Sequence, residues 1–316
     1  MAEFLERRMV LGAKKETTEG TANAPAAGDC SLLIEDVKFQ ADIDSFERKP
    51  ISATLSPFAS VTGMRKATVS FKVELKGSGA AGAAPAIGKL LKACGFDETI
   101  VSVTSVTYSP LSLGVDSLTI DVFSVPASGN NLRERMVGAR GDCKINAKAG
   151  QPVYLEFTFQ GAYVPVVDVA GLTPSGLEAT LPPAFLSTSF SMHALSTHKV
   201  SMFNIALANS LAARTDISLA AGVLSYLIVD KKPTFSFDPE KELVATHDYY
   251  GKMLSSNEGA LSVAIGATAG NICTITAPKC QYTKVSPGSR DGLGIFTVDG
   301  KFNRSTGNDE LVLAFT

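Results

Sequence analysis

Leu155-Glu156-Phe157-Thr158-Phe159-Gln160-Gly161-Ala162-Tyr163 alternates apolar and polar side chains with a period of two. Leu155, Phe157 and Phe159 point one way and Glu156, Thr158 and Gln160 the other, the pattern of a half-buried antiparallel strand. The same order of aromatic, Thr, apolar, acid or amide, Gly and aromatic returns 139 residues later in Gly294-Ile295-Phe296-Thr297-Val298-Asp299-Gly300-Lys301-Phe302. One such echo is weak, because strands resemble one another. Two more occur in the same order. Lys66-Ala67-Thr68-Val69-Ser70-Phe71 matches Lys232-Pro233-Thr234-Phe235-Ser236-Phe237 at an offset of 166, and Gly88-Lys89-Leu90-Leu91 matches Gly251-Lys252-Met253-Leu254 at 163. Three colinear matches indicate one fold occurring twice. The falling offset places an insertion in the first copy, most simply at Asp97 to Gly114.

A chain of 316 residues suits two domains of about 150 better than one core. Charged residues make up 19%, below the usual value of about 25%, which leaves surface for neighbours in an assembly. Residues 1–165 carry 18 basic and 18 acidic side chains, and residues 166–316 carry 11 and 13. Neither half has the basic excess of a domain that grips nucleic acid. The five cysteines are scattered, odd in number and without a CxxC, which favours free thiols in a reducing compartment. The first residues hold two acids and no long apolar run, unlike a secretory signal. The longest apolar run, near Val223 to Val229, is too short to span a bilayer. These features predict a soluble protein kept inside the cell, with no membrane partner.

Residues 1–28 mix Leu5, Val10 and Leu11 with charges and then turn small and polar, ending near Pro25-Ala26-Ala27-Gly28. Such a segment cannot bury enough area to fold alone. It reads either as a disordered terminus or as an arm that orders on another subunit. The first domain is expected over 29–165 and the second over 186–316, joined by a Pro- and Gly-rich linker at 166–185. Each holds alternating strands and one short helix. The first helix spans about Ala86 to Ala93 and closes at Gly95, and the second is capped by Thr246 and carries Tyr249, Tyr250, Met253 and Leu254. The fold class is α+β, mainly β, as two tandem β-sandwich domains with one flanking α-helix each.

Motifs that carry chemistry are missing. His193 and His198 are expected to face opposite sides of a strand pair. His247 precedes Asp248, but a His-Asp pair needs a nucleophile and an oxyanion site, and neither a G-x-S-x-G nor an activated Cys is present. All three histidines read as structural. Gly77 to Gly82 lacks the Gly-Lys-Ser/Thr ending of a phosphate loop, and in Gly88-Lys89-Leu90-Leu91 a Leu replaces the metal-binding hydroxyl. Asp97-Glu98 and Asn308-Asp309-Glu310 lack the oxygen density of a calcium site. Arg133, Arg135 and Arg140 lie among Glu134 and Asp142, as in a salt-paired surface. The expectation is no catalytic residue, no metal and no cofactor.

The run from Thr68 to Gly79, followed by Ala84-Pro85-Ala86-Ile87-Gly88-Lys89-Leu90-Leu91-Lys92-Ala93-Cys94-Gly95-Phe96, resembles the major tail tube proteins of long, non-contractile-tailed bacteriophages. So do Val137 to Cys143, Gly150-Gln151-Pro152 and the strand ending at Gly161-Ala162-Tyr163. In the second half Asp230 to Asp238, Val244 to Tyr250, Ile275 to Lys279 and Arg290-Asp291-Gly292-Leu293 fit the same family. The resemblance implies tail-tube-type sandwiches, a virion protein assembled in the host cytoplasm, and rings stacked around a channel for DNA. It also implies a tape measure protein, a tail terminator and tail-tip proteins as partners.

With two copies per chain, three chains would complete a ring of six similar positions, a homotrimer that is pseudo-hexameric. A conduit should repel DNA, so acidic polar-face residues are expected to line it, with Glu74, Asp121, Glu156 and Asp299 as candidates. Phe4, Leu5, Arg7 and Arg8 of the N-terminal arm are expected to make ring-to-ring contacts, and removing residues 1–12 to leave a folded protein unable to polymerise. The competing reading is another structural tail part, a terminator or a decoration protein. A tail-attached glycan hydrolase would need paired carboxylates in a cleft, and the sequence supplies none in context.

Overall fold

Period-two alternation builds seventeen strands in the computed structural model, which describes residues 3–316. The first half contains β1 (Phe4–Lys15), β2 (Ile34–Phe46), β3 (Val61–Glu74), α1 (Gly88–Ala93), β4 (Phe96–Val101), β5 (Ser105–Pro110), β6 (Leu118–Pro126), β7 (Asn131–Lys148) and β8 (Tyr154–Val169). The second contains β9 (Ser189–Met192), β10 (Met202–Ala206), β11 (Asn209–Thr215), β12 (Val223–Lys231), β13 (Thr234–Phe237), α2 (Tyr249–Leu254), β14 (Glu258–Ile265), β15 (Cys273–Arg290), β16 (Leu293–Asn303) and β17 (Val312–Phe315). The fold is mainly β, with two short helices, as the alternation predicts.

Strand pairing repeats along the chain. In the first half β1 pairs β6, β2 pairs β3, β3 pairs β8, and β7 pairs both β6 and β8. In the second half β9 pairs β14, β10 pairs β13, β13 pairs β16, and β15 pairs both β14 and β16. Each half also has an extra hairpin. The insertion expected at Asp97 to Gly114 is the β4–β5 hairpin, which turns at residues 102–104. The second half inserts β11–β12 between β10 and β13.

The halves share one sheet. β7 pairs with β10 antiparallel, giving the continuous order β2-β3-β8-β7-β10-β13-β16-β15. They share one core as well: Leu11, Phe71, Phe157, Ile205, Phe237 and Leu313 belong to a single buried cluster. Residues 170–188 are irregular apart from an isolated bridge between Pro152 and Ala184, and the core continues across them. The C-terminal β17 pairs with β15 on one side and β5 on the other, tying the last strand to the first half's insertion.

Directly opposed residues share a face, so pairing can be followed in rows across the sheet. One row reads Val73, Leu155, Ile145, Ile205, Phe235, Gly300, Tyr282, and its members line the core side. Gly300 stands between two aromatic neighbours for a spatial reason. A Cβ there would lie 2.2 Å from the Phe235 ring and 2.6 Å from the Gln281 carbonyl oxygen. Gly300→Ala is therefore expected to destabilise the protein by about 1–3 kcal/mol through overpacking, read as a lower denaturation midpoint. An unchanged midpoint would mean that the Phe235 ring does not cover this backbone. Asp291 and Gly292, with φ of 50° and 85°, form the two-residue turn of the β15–β16 hairpin, the geometry that Asp-Gly favours.

The N-terminal segment is an integral part of the sandwich. Leu11 and Ala13 of β1 are fully buried against β6. Glu16 is buried and accepts four hydrogen bonds: Oε2 from Gly20 N (2.8 Å) and Ser117 Oγ (2.7 Å), and Oε1 from Thr119 Oγ1 (3.1 Å) and Gly138 N (2.7 Å). The arm expected over 1–28 thus shrinks to the exposed residues 3–8. Removing residues 1–12 would take Leu11 out of the core, so that truncation cannot separate folding from assembly.

Candidate assembly surfaces

The long sheet buries one face and leaves the other polar. Row by row, the polar face reads Glu74, Tyr154, Asn146, Asn204, Ser236, Asp299, Lys284, and beside it Glu35, Lys72, Glu156, Lys144, Ala206, Thr234, Lys301, Gln281. Glu74, Glu156 and Asp299 therefore lie on one face of one sheet, drawn from both halves. Their charge is not left alone. Lys72 Nζ is 2.9 Å from Asp36 and 3.8 Å from Glu156, and Lys76 Nζ is 3.5 Å from Glu74. Asp36 holds the Lys72 ammonium above its usual pKa, and Lys72 holds the Asp36 carboxyl below its own. The face is polar and of mixed sign, without a basic excess.

Asp121 is placed elsewhere. It sits on β6, 1% exposed, and receives both Arg135 Nε and an Arg135 terminal nitrogen at 2.6 Å. This bidentate pair closes the interior of the first half and offers no charge to a channel. β6 pairs directly with β7, where Asp121 stands opposite Arg135, and most residues of β6 on both faces are buried, so its polar position meets the arginine and not water. Arg140 is buried and bound by the Val115 and Tyr226 carbonyls and by Glu19 at 2.6 Å. The pairing expected with Glu134 and Asp142 on the surface is replaced by interior pairs with Glu19 and Asp121, and the buried Arg133 Nε has no partner among the described residues.

Two edges of the long sheet are open among the described residues. β2 pairs only with β3. β15 pairs with β14 through Gln281, and beyond that point residues 282–290 have β16 on one side and no strand on the other. In the first half the corresponding flank of β7 is occupied by β10. The repeat thus leaves one strand position vacant beside β15 and one edge strand, β2, with a single neighbour.

Exposed apolar side chains are spread over several loops and ends, Ile217 and Leu113 among them, and two groups matter for assembly. Phe4 and Leu5 are exposed, together with Arg7 and Arg8. The connection between β2 and β3, residues 47–60, carries Ile51 and Leu55 fully exposed and Phe58 largely so. The sequence signal for this second surface is Ile51, Leu55 and Phe58 between Pro50 and Pro57, apolar residues in a segment that neither alternates nor has helical spacing.

The three histidines converge instead of facing apart. The rings of His198 and His247 are 5.0 Å apart and those of His193 and His247 6.2 Å, between β9, α2 and β15. His198 Nε2 donates to the Met192 carbonyl (3.2 Å), so its Nδ1 accepts from the Tyr249 hydroxyl (2.8 Å). His247 Nε2 lies 3.1 Å from the Tyr282 hydroxyl, and the buried Nε2 of His193 has no partner. Burial lowers all three pKa values, to about 4 for His193 and about 3 for His247. The nearest thiol, Cys280, is pushed up to about 12 by burial, so no activated nucleophile accompanies the imidazoles. Asp248, not Thr246, caps α2, accepting from Gly251 N at 2.7 Å. Asp309 accepts four hydrogen bonds from Ser305, Thr306 and Gly307, which makes it a turn-former. Among the described residues no group of three or more His, Cys, Asp or Glu is arranged to hold a metal ion.

A mainly β sheet with a polar face and, among the described residues, no metal-binding cluster fits a structural protein. The family model described as phage tail tube protein matches residues 6–302, and the chain belongs to that family. Membership makes it a structural component of a bacteriophage virion, in the tail tube. No curated protein matches the chain. No helix among the described residues is long and apolar enough to cross a membrane.

Proposed function

We propose that three copies of this chain close into a pseudo-hexameric ring and that the rings stack into the tail tube through which DNA is ejected. The observation that carries the reading is the vacant strand position on β15. β2 has the place in the first repeat that β10 has in the second, and β10 fills the flank of β7. β2 of one copy can therefore fill the flank of β15 residues 282–290 in the next, repeating the joint inside the chain. Pro287 has no N–H, so residues on either side of it would carry the pairing. Such a head-to-tail contact closes into a ring and removes the unpaired edges that otherwise invite aggregation.

In this arrangement the polar face, with Glu74, Glu156 and Asp299, lines the bore. Its balance of lysine and carboxylate gives phosphate no site of net positive charge, so DNA passes without specific binding. Phe4, Leu5, Arg7, Arg8 and the 47–60 connection make the ring-to-ring contacts. Assembly in the host cytoplasm, and contacts with a tape measure protein, a tail terminator and tail-tip proteins, belong to the same reading. The alternative, a terminator or decoration protein, predicts single rings or monomers.

Negative-stain electron microscopy of the purified full chain is expected to show rings that stack into tubes. Removing residues 1–8, which spares Leu11, is expected to keep the denaturation midpoint and shorten or abolish the tubes. Long tubes from that truncation would remove the N-terminal residues from the stacking contact, and monomers from the full chain would end the ring.

A further inference from the structure

We propose that the histidine cluster is an acid-operated latch, which fastens β9 and α2 onto the second repeat and releases them when its imidazoles take up protons. Every histidine of the sequence is in it, and none is at the surface of the long sheet. The rings lie tilted or edge-on to Tyr249 and Tyr282 at 4.5–6.0 Å, enclosed in a site that offers the buried Nε2 of His193 no acceptor for a proton. A proton on one ring places a cation within 5.0–6.2 Å of its neighbours, in a site already short of hydrogen-bond partners.

The charged and titratable groups around the cluster give little relief. α2 contributes the Lys252 ammonium, a further cation, and Tyr249, while Asp248 at its start is engaged with Gly251 N. β15 contributes Tyr282 and Cys280, both neutral. Glu258 of β14 is bound to Lys279 at 3.1 Å and to Asn303 at 2.6 Å. Glu242, in the segment before α2, is the remaining acid that acts on His198. The first repeat provides an internal comparison, since β1 and α1 hold the corresponding places with no histidine.

The direction of the pH effect follows from linkage. Above the ordinary histidine value of about 6.5 the rings are neutral whether the latch is closed or open, and pH has no effect. Below it the open form binds protons and the closed form does not, so closure weakens until pH reaches the lowered values near 4 and 3. Between pH 7.5 and 5.5 each ring raises the opening constant about 10-fold, so His193 and His247 together give about 100-fold.

Hydrogen exchange by mass spectrometry on the full chain at pH 7.5 and 5.5, with rates corrected for intrinsic exchange, tests the latch. Protection in residues 189–198 and 247–262 is expected to fall about 100-fold or more relative to β1 and α1. His247→Phe, which keeps an apolar ring in the stack, is expected to reduce that loss by about 10-fold. Equal losses in the two repeats, or unchanged protection at pH 5.5, would overturn the proposal. If the variant misfolds, the comparison of repeats within the unaltered chain decides alone.

Discussion

Glu16→Ala is expected to lower the free energy of unfolding by about 3–5 kcal/mol, enough to leave little folded protein in a marginal domain. The carboxylate is the sole side-chain acceptor shared by the N-terminal turn, β6 and β7. Its loss strands Ser117 Oγ, Thr119 Oγ1 and the backbone N–H groups of Gly20 and Gly138 in a buried site. Each stranded donor costs about 1–3 kcal/mol before relaxation or entry of water offsets part of it. Glu16→Gln retains one oxygen and should fall between the alanine variant and the unaltered chain. Chemical denaturation of the three proteins checks the order. A Glu16→Ala midpoint equal to that of the parent would mean that residues 16–20 do not dock as described.

Arg135→Met is the second large effect, expected at about 3–5 kcal/mol, because it leaves the Asp121 carboxylate buried without its bidentate partner. The pair itself has a smaller net value, since desolvating two charges cancels much of their attraction. Replacing both residues, Arg135→Met with Asp121→Leu, should therefore recover most of the loss. Denaturation midpoints for the two single variants and the double variant form the cycle. A double variant as unstable as Arg135→Met alone would show that packing of the arginine stem, and not the orphaned charge, sets the cost.

Much of the sheet was legible from period and echo. Phe71, Phe157 and Phe159 alternate with polar residues, so their burial and the polar face opposite follow from the pleat. The helix ending before Gly95 follows from the left-handed conformation that Gly adopts there, at φ 89°. Asp121 was not legible. It alternates like the other acids, yet both faces of β6 are covered, and only the packing decides whether a polar position meets water or Arg135. The far half of β15 has a related reason for being illegible: residues 278–290 combine Pro, Gly and three basic residues, a composition that reads as a loop until β16 supplies the opposite ladder.

The N-terminal segment shows the same division. Its small, polar stretch cannot fold from local energetics, and the sequence reads it as disordered or as an arm laid on another subunit; neither holds. Its partner is the chain's own β6 and β7, reached through Glu16 across about a hundred residues of sequence.

The sequence by itself determined most of the alternating strands, the two helices and the recurrence of the unit, because each depends on residues a few positions apart. Tertiary structure alone decided that the repeats share a core, that β10 closes the flank of β7 while that of β15 stays open, and that three scattered histidines meet. Those outcomes depend on which edges and faces come together, and neither periodicity nor spacing encodes a contact between segments far apart in the chain.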